Sequence, residues 1–349
     1  MNNKIVFEKE YSINSSPFTI NTNFERDFLS SEINEIGCIF SQNKIKTIKE
    51  YYQSFFKILS IEDDEINYQN ILSSKMKINY LSHLKNSLEC IKPFLLPYFK
   101  DVYPIRKSLL SKLTPLSFDN KILDIPVYSH DTKTGRSRII SGTNYMTMKK
   151  EKRSILRHSD RNRVLLEIDF NSCEPVFYFN FVKNLIVTND LYETIKKDLN
   201  ILEDRKLLKN AIISILYGAG HETVRRISKI DKNVYNKIKD YMLIDQFHEK
   251  VKISDKNTIN NYYGRPIIIQ NERNKVNYWV QSSVADFVYL SFEEFSNKIK
   301  SFELHGIIHD AMIFSVNKLD WEKIKNIQML SEKISNFKIA VKISNLSDI

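Results

Sequence analysis

The apolar run Val164-Leu165-Leu166-Glu167-Ile168 closes on Asp169, and a second apolar stretch, Gly306 to Phe314, is broken by His309-Asp310. Both runs are strand-like in length and composition. An unpaired carboxylate buried in such a run is costly, so each aspartate needs a strand end or a turn. The second stretch therefore reads as a hairpin over 303–316 with His309-Asp310 at its tip. A strand end also holds a side chain rigidly toward a cleft, which suits a metal ligand. A plain turn aspartate satisfies the same pattern.

The rest of the chain supplies mostly helix. Residues 1–35 look irregular, while 42–60 and Tyr80 to Phe99 carry apolar residues at helical spacing. A short strand is predicted near Pro126-Val127-Tyr128, and a helix after Glu174. Residues 203–250 read as a helical block broken at Gly218 and Gly220. A hairpin over 258–270 bends near Gly264, a long helix spans 272–298, and a helix over 319–335 leads to a last strand at Phe337–Ile343. Helices first, then strands and helices mixed, give an α+β fold class.

Arg205, Lys209, Ile213 and Tyr217 recur at intervals of four and so share one helix face. Two cations and an aromatic on one face can hold a triphosphate by charge and a base by stacking. A solvated basic face with Tyr217 in the core is the alternative. Arg273, Asn277 and Gln281 form a second, polar stripe at the same spacing, able to reach bases or sugars. The run from Lys149 to Arg163, with Lys149, Lys150 and Arg153, is either a phosphate-binding strip or a charged connector. Beside Asp169, the Phe170 carbonyl offers a further oxygen ligand to a hard cation.

Charge agrees with a polyanionic partner. Lys plus Arg number 52 against 42 Asp plus Glu, a net charge of +10. An Asn/Ile/Lys-rich composition produces such a balance too. Cys38, Cys90 and Cys173 form no C-x-x-C pair, which predicts neither a zinc framework nor a disulfide scaffold. The first twenty residues lack an apolar core segment, and no run approaches the ~20 apolar residues of a membrane span. The expectation is a soluble, cytoplasmic protein without a membrane partner.

The order of these motifs resembles the polymerase domain of family A DNA polymerases, from about residue 130 onward. Asp169 through Glu174 is similar to motif A, with its metal-binding Asp and a Glu five residues later. Arg205-x3-Lys209-x7-Tyr217-Gly218 resembles motif B, and His309-Asp310 resembles motif C with the second metal-binding Asp. Thr134-Gly135-Arg136 is similar to the family's T-G-R segment, and Arg273, Asn277 and Gln281 to its R-x3-N-x3-Q helix. Three positions depart from the family pattern. Ala311 stands where a Glu usually follows the motif C Asp, Ile213 replaces an aromatic, and Ser172-Cys173 replaces a frequent Gln-Ile.

The resemblance implies a right-hand fold with an antiparallel palm sheet and helical fingers and thumb. Residues 1–121 would form an N-terminal arm and thumb, 122–200 with 251–349 the palm, and 201–250 the fingers. It implies template-directed addition of dNTPs to a primer 3′-hydroxyl on primer-template DNA. Two Mg²⁺ ions, replaceable by Mn²⁺, would be held by Asp169, Phe170 and Asp310. Arg205 and Lys209 would hold the triphosphate, with Lys209 also the acid for pyrophosphate. Ile213, Tyr217, Glu174 and His309 would complete the substrate pocket, Glu174 excluding a 2′-hydroxyl and held in place by the Tyr217 hydroxyl. Arg136, Arg273, Asn277, Gln281, Lys149, Lys150 and Arg153 would contact DNA. The acidic cluster Glu62–Glu65 reads as a helix-start cluster, so no proofreading exonuclease is expected. Two rivals stand beside this reading. One is a single-subunit RNA polymerase or primase-like nucleotidyltransferase, the other an inactive nucleic-acid-binding relative.

Overall fold

The computed structural model describes residues 101–119, 121–130, 132–185, 190–253, 257–324 and 339–346. The expected helices over 42–60 and 80–99, and the cluster Glu62–Glu65, lie outside the described residues.

A four-stranded sheet organises the described part. Its strands are β5 (Arg163–Phe170), β8 (Glu303–Ile308), β9 (Ala311–Asn317) and β10 (Val341–Asn345), in the order β10-β5-β9-β8. All neighbouring strands are antiparallel, as the hairpin reading of 303–316 requires. Before the sheet come helix α1 (Tyr103–Leu110) and the short pairs β1 (Ser117–Phe118) with β2 (Lys121–Ile122) and β3 (Val127–Ser129) with β4 (Arg138–Ser141). A one-turn helix, α2 (Lys150–Arg153), leads into β5.

Helices α3 (Cys173–Lys183) and α4 (Leu191–Asp198) follow, then the block α5 (Arg205–Leu216), α6 (His221–Ser228), α7 (Lys232–Tyr241) and α8 (Ile244–Lys250). The hairpin β6 (Thr258–Asn260) and β7 (Pro266–Ile268) turns through Gly264, whose φ of 83° the bend requires. It leads into the long helix α9 (Lys275–Asn297), and α10 (Lys318–Ile324) follows the sheet hairpin. The predicted continuation of that last helix to 335 lies outside the described residues. The last strand runs over Val341–Asn345, and its predicted start at Phe337 lies outside the described residues.

Period-two alternation along β5 sends side chains to two packed faces. Leu166, Ile168 and Phe170 enter the main core, where Phe170 meets Phe287 and Phe292 of α9 at ring-centroid distances of 5.1 and 5.4 Å. Leu165 faces a smaller cluster with Leu116, Tyr145, Leu156 and Ile313. Glu167 shares that second face. It is buried because Arg153 reaches it at 2.6 Å, which ties α2 to the sheet. Among the described residues, no helix is long and apolar enough to cross a membrane.

Candidate active site

Sheet register brings the two aspartates together. Asp169 pairs with Ala311 on β9, so the end of β5 lies beside the β8–β9 turn. The Phe170 N–H donates to the Asp310 carbonyl at 3.2 Å and locks the two positions. His309 opens the turn at a positive φ of 54°, a conformation in which His is tolerated better than a β-branched residue. Burial, then the Asp169 charge, push the Asp310 carboxyl up to about 6. The Asp169 carboxylate thus disfavours the charge on Asp310, as a close like charge does.

Beyond β5 the chain reverses through Ser172, at φ 52°, and enters α3 with Glu174 in its first turn. The Glu174 carboxylate is held from two sides. Its Oε1 lies 3.0 Å from Arg136 Nη2, and its Oε2 accepts from the Tyr217 hydroxyl. Burial and then Glu174 raise the Tyr217 phenol to about 12, so it stays a donor, and Gln281 hydrogen-bonds it as well. Tyr217 stands one residue past α5, as its C-cap. Gly218 follows at φ 81°, and a Cβ there would lie 2.7 Å from the Arg273 carbonyl. Only glycine lets α5 end this close to the start of α9.

Asp169, Phe170, Glu174, Arg136 and Asp310 share one cleft of about 750 Å³ with Arg205, Lys209, Ile213 and Tyr217. His309 joins Arg136, Glu174 and Asp310 around a smaller adjoining cavity. Burial, then the charges of Arg136 and Arg153, lower the His309 imidazole's proton affinity.

Other expected residues lie elsewhere. Lys149 and Arg153 do not line the cleft, Arg153 is committed to Glu167, and the Lys150 side chain lies outside what is described. Arg273 sits in a 3₁₀ turn (Glu272–Asn274) ahead of α9, because the Asn271 side chain accepts from its N–H. Only Asn277 and Gln281 of that stripe lie on the α-helix itself.

Two cleft residues escaped the sequence reading. Asp190 caps α4, accepting from the Tyr192 and Glu193 N–H groups at 2.9 and 3.2 Å, and receives Arg205 Nε at 2.7 Å. Burial opposes ionisation of Asp190, but these donors outweigh it and lower its pKa. Tyr192 is buried beneath both cations, its ring centroid 5.3 Å from the Arg205 guanidinium and 5.9 Å from Lys209 Nζ. An Asp before an apolar residue does signal a helix start. Its union with a residue fifteen positions later has no local signal.

At the far end of the sheet, His158, Glu303 and His305 bring one ligand atom each within 4.8 Å of one another. Both His305 nitrogens are already engaged, Nδ1 with Thr114 and Nε2 with the Ser315 hydroxyl at 2.9 Å. Arg163 adds a positive charge 3.1 Å from Glu303. These contacts make a hydrogen-bonded brace, and a cation there would meet a resident one.

No protein-family model and no curated protein sequence matches the chain. Among solved structures it is similar to the POL domain of Pol1 from M. smegmatis in complex with DNA primer-template and dNTP. The TM-score is 0.51 and the identity 11%, over 99% of this chain and 69% of that one. The two share a fold. At that identity the likeness speaks for architecture, and the chemistry must be argued from the residues.

Proposed function

We propose that the chain is a template-directed DNA polymerase that extends a primer 3′-hydroxyl with dNTPs. The observation that carries this is the meeting of Asp169 and Asp310 at the end of a cleft that also holds Arg205, Lys209, Tyr217 and Glu174. The fold shared with a polymerase domain supports it. On this reading the four-stranded sheet is the palm, residues 201–250 are the fingers, and the N-terminal 121 residues contain the thumb.

The donors at Asp169, Asp310 and the Phe170 carbonyl are all oxygen, and Asp310 is pushed up to about 6 beside Asp169. Such a set fits a hard divalent cation, Mg²⁺ or Mn²⁺. When bound, the metal pair lowers the pKa of the primer hydroxyl and balances charge on the leaving pyrophosphate. The chain's own residues do the rest. Arg205 and Lys209 bind the triphosphate and stabilise charge developing on it. Lys209, in the same cleft, would also give a proton to the leaving group. Arg205 must leave Asp190 or share it, so the nucleotide competes with a preformed ion pair. Ile213 offers the base an aliphatic surface. Glu174 is held by Arg136 and Tyr217, which supports a role for it in excluding a 2′-hydroxyl. His309 completes the substrate pocket, Arg136, Gln281, Asn277 and Arg273 face the primer-template, and Lys149 and Lys150 meet its phosphates.

A primer-extension assay with labelled primer-template, Mg²⁺ and dNTPs tests the proposal. Wild-type protein extends the primer. Asp169→Ala and Asp310→Ala each lower kcat by about 10³-fold or more, in keeping with several kcal/mol of lost charge stabilisation. A labelled mismatched primer is not shortened from its 3′ end. Extension by Asp169→Ala at the wild-type rate refutes the assignment.

A further inference from the structure

A buried polar cluster lies behind the cleft, and the chemistry above does not use it. Arg106 on α1 and Asp286 on α9 are 1% and 0% exposed, with Nη1 and Oδ1 2.8 Å apart. The second Asp286 oxygen accepts from Asn261 Nδ2 at 2.6 Å. The Asn261 side chain in turn accepts from the Tyr263 and Arg265 N–H groups at 2.9 and 2.8 Å, which shapes the turn after β6. The other Arg106 nitrogen donates to the Gly135 carbonyl at 2.8 Å and lies 3.1 Å from His130 Nδ1. The guanidinium also covers the Tyr289 ring at 4.4 Å, and the Tyr289 hydroxyl meets Ser137 Oγ at 2.5 Å.

These contacts converge on the segment 134–137. Gly135 has φ 68°, and a Cβ on it would lie 2.2 Å from the buried Arg265 guanidinium carbon. The segment is therefore gripped at the Gly135 carbonyl, the Gly135 Cα and Ser137. Arg136 between them is the one residue that points out of the grip, to Glu174 at 3.0 Å.

A buried ion pair is weak evidence for stability, because desolvation consumes most of its attraction. Its best-supported use is to fix one arrangement among several. The fork of Arg suits this role, since it can reach a carboxylate and a carbonyl in one plane.

We infer that Arg106 and Asp286 are positioning residues for Arg136. Through the Gly135 carbonyl, this pair sets where the Arg136 guanidinium stands and thereby holds Glu174 against the incoming sugar. The inference rests on the polymerase reading for its effect on substrate choice. Its structural half stands without that reading.

Three forms of the full-length protein test it: wild type, Arg106→Lys, and the double variant Arg106→Met with Asp286→Leu, which removes the pair as a unit. The first readout needs no activity. Phenylglyoxal modification of Arg136 is followed by peptide mass spectrometry, and the rate is expected to rise about tenfold in the double variant. The second readout is the ratio of kcat/KM for a matched rNTP and dNTP. That ratio is expected to rise about tenfold in the double variant, through dNTP KM more than kcat. Arg106→Lys keeps the charge but not the fork, so it falls between. Should the double variant not give a cooperative melt, Arg106→Lys alone decides. Wild-type values of both readouts in a folded variant overturn the inference. Loss of Arg136 protection in a protein whose wild type extends no primer refutes the polymerase reading and leaves the positioning role standing.

Discussion

On the proposed reading, Glu174 is the residue on which substrate choice turns. Its Oε1 lies 3.0 Å from Arg136 and its Oε2 accepts from Tyr217, and on that reading these two contacts hold it against a 2′-hydroxyl. Glu174→Ala is expected to raise the rNTP/dNTP ratio of kcat/KM, while lowering overall efficiency less than Asp169→Ala does. An unchanged ratio removes Glu174 from that role, and a wild type that prefers rNTPs favours an RNA polymerase. A second single-residue effect lies far from the cleft. His305 is fully buried between Thr114 and Ser315, and burial lowers its pKa to about 3. The unfolded chain takes up a proton near the ordinary histidine pKa while the folded chain does not. Its contribution is therefore complete above about pH 6.5 and is lost as pH falls toward 3. Between pH 7 and pH 5 the loss is about 2 kcal/mol at most. Urea midpoints at the two pH values should differ less in His305→Gln than in wild type. Equal pH dependence in the two proteins contradicts this account.

Among the elements, β5 shows how a sequence pattern and a packing fact divide the work. Its apolar run predicts a strand ending at Asp169, and the strand ends one residue later. Glu167 is the misfit in that run, and the approach of α2 gives it an ion-pair partner. Arg153 Nη1 sits 2.6 Å from Glu167, with the two side chains 12% and 2% exposed. Arg153→Met should then cost about 1.5–3 kcal/mol of stability, the usual worth of a hydrogen bond to a charged group, because it removes the Arg153 guanidinium from a buried carboxylate. Chemical denaturation measures it, with Lys149→Ala as the control that changes little. If Arg153→Met is as stable as wild type, the residue is spare for phosphate after all. The stripe Arg205, Lys209, Ile213 was legible because helical spacing alone places it on one face. Tyr217 was legible in position, and the family resemblance also implied its hydroxyl bond to Glu174, which the structure shows. Its partner Glu174 lies 43 residues earlier, on another helix.

The whole molecule is basic, and a net charge of +10 should make DNA affinity steeply salt-dependent. Neutralising Lys149 and Lys150 together is expected to reduce the slope of log K against log[salt] by roughly 1.8, about 0.9 per lost phosphate contact. Fluorescence anisotropy with a labelled primer-template between 50 and 200 mM salt would test it. An unchanged slope makes the run a solvated connector. At this scale the sequence determined what local rules can carry. Strand ends, the hairpin at Gly264, the His309-Asp310 tip and the helical stripes all follow from side-chain periodicity and turn preference, which act over a few residues. The tertiary structure alone decided the rest. It set Asp169 beside Asp310, gave Arg205 to Asp190 and Arg153 to Glu167, and buried Arg106 against Asp286 behind Arg136. Those pairs span 14 to 180 positions of chain. Sheet register and close packing select such partners, and no spacing rule along one segment encodes them.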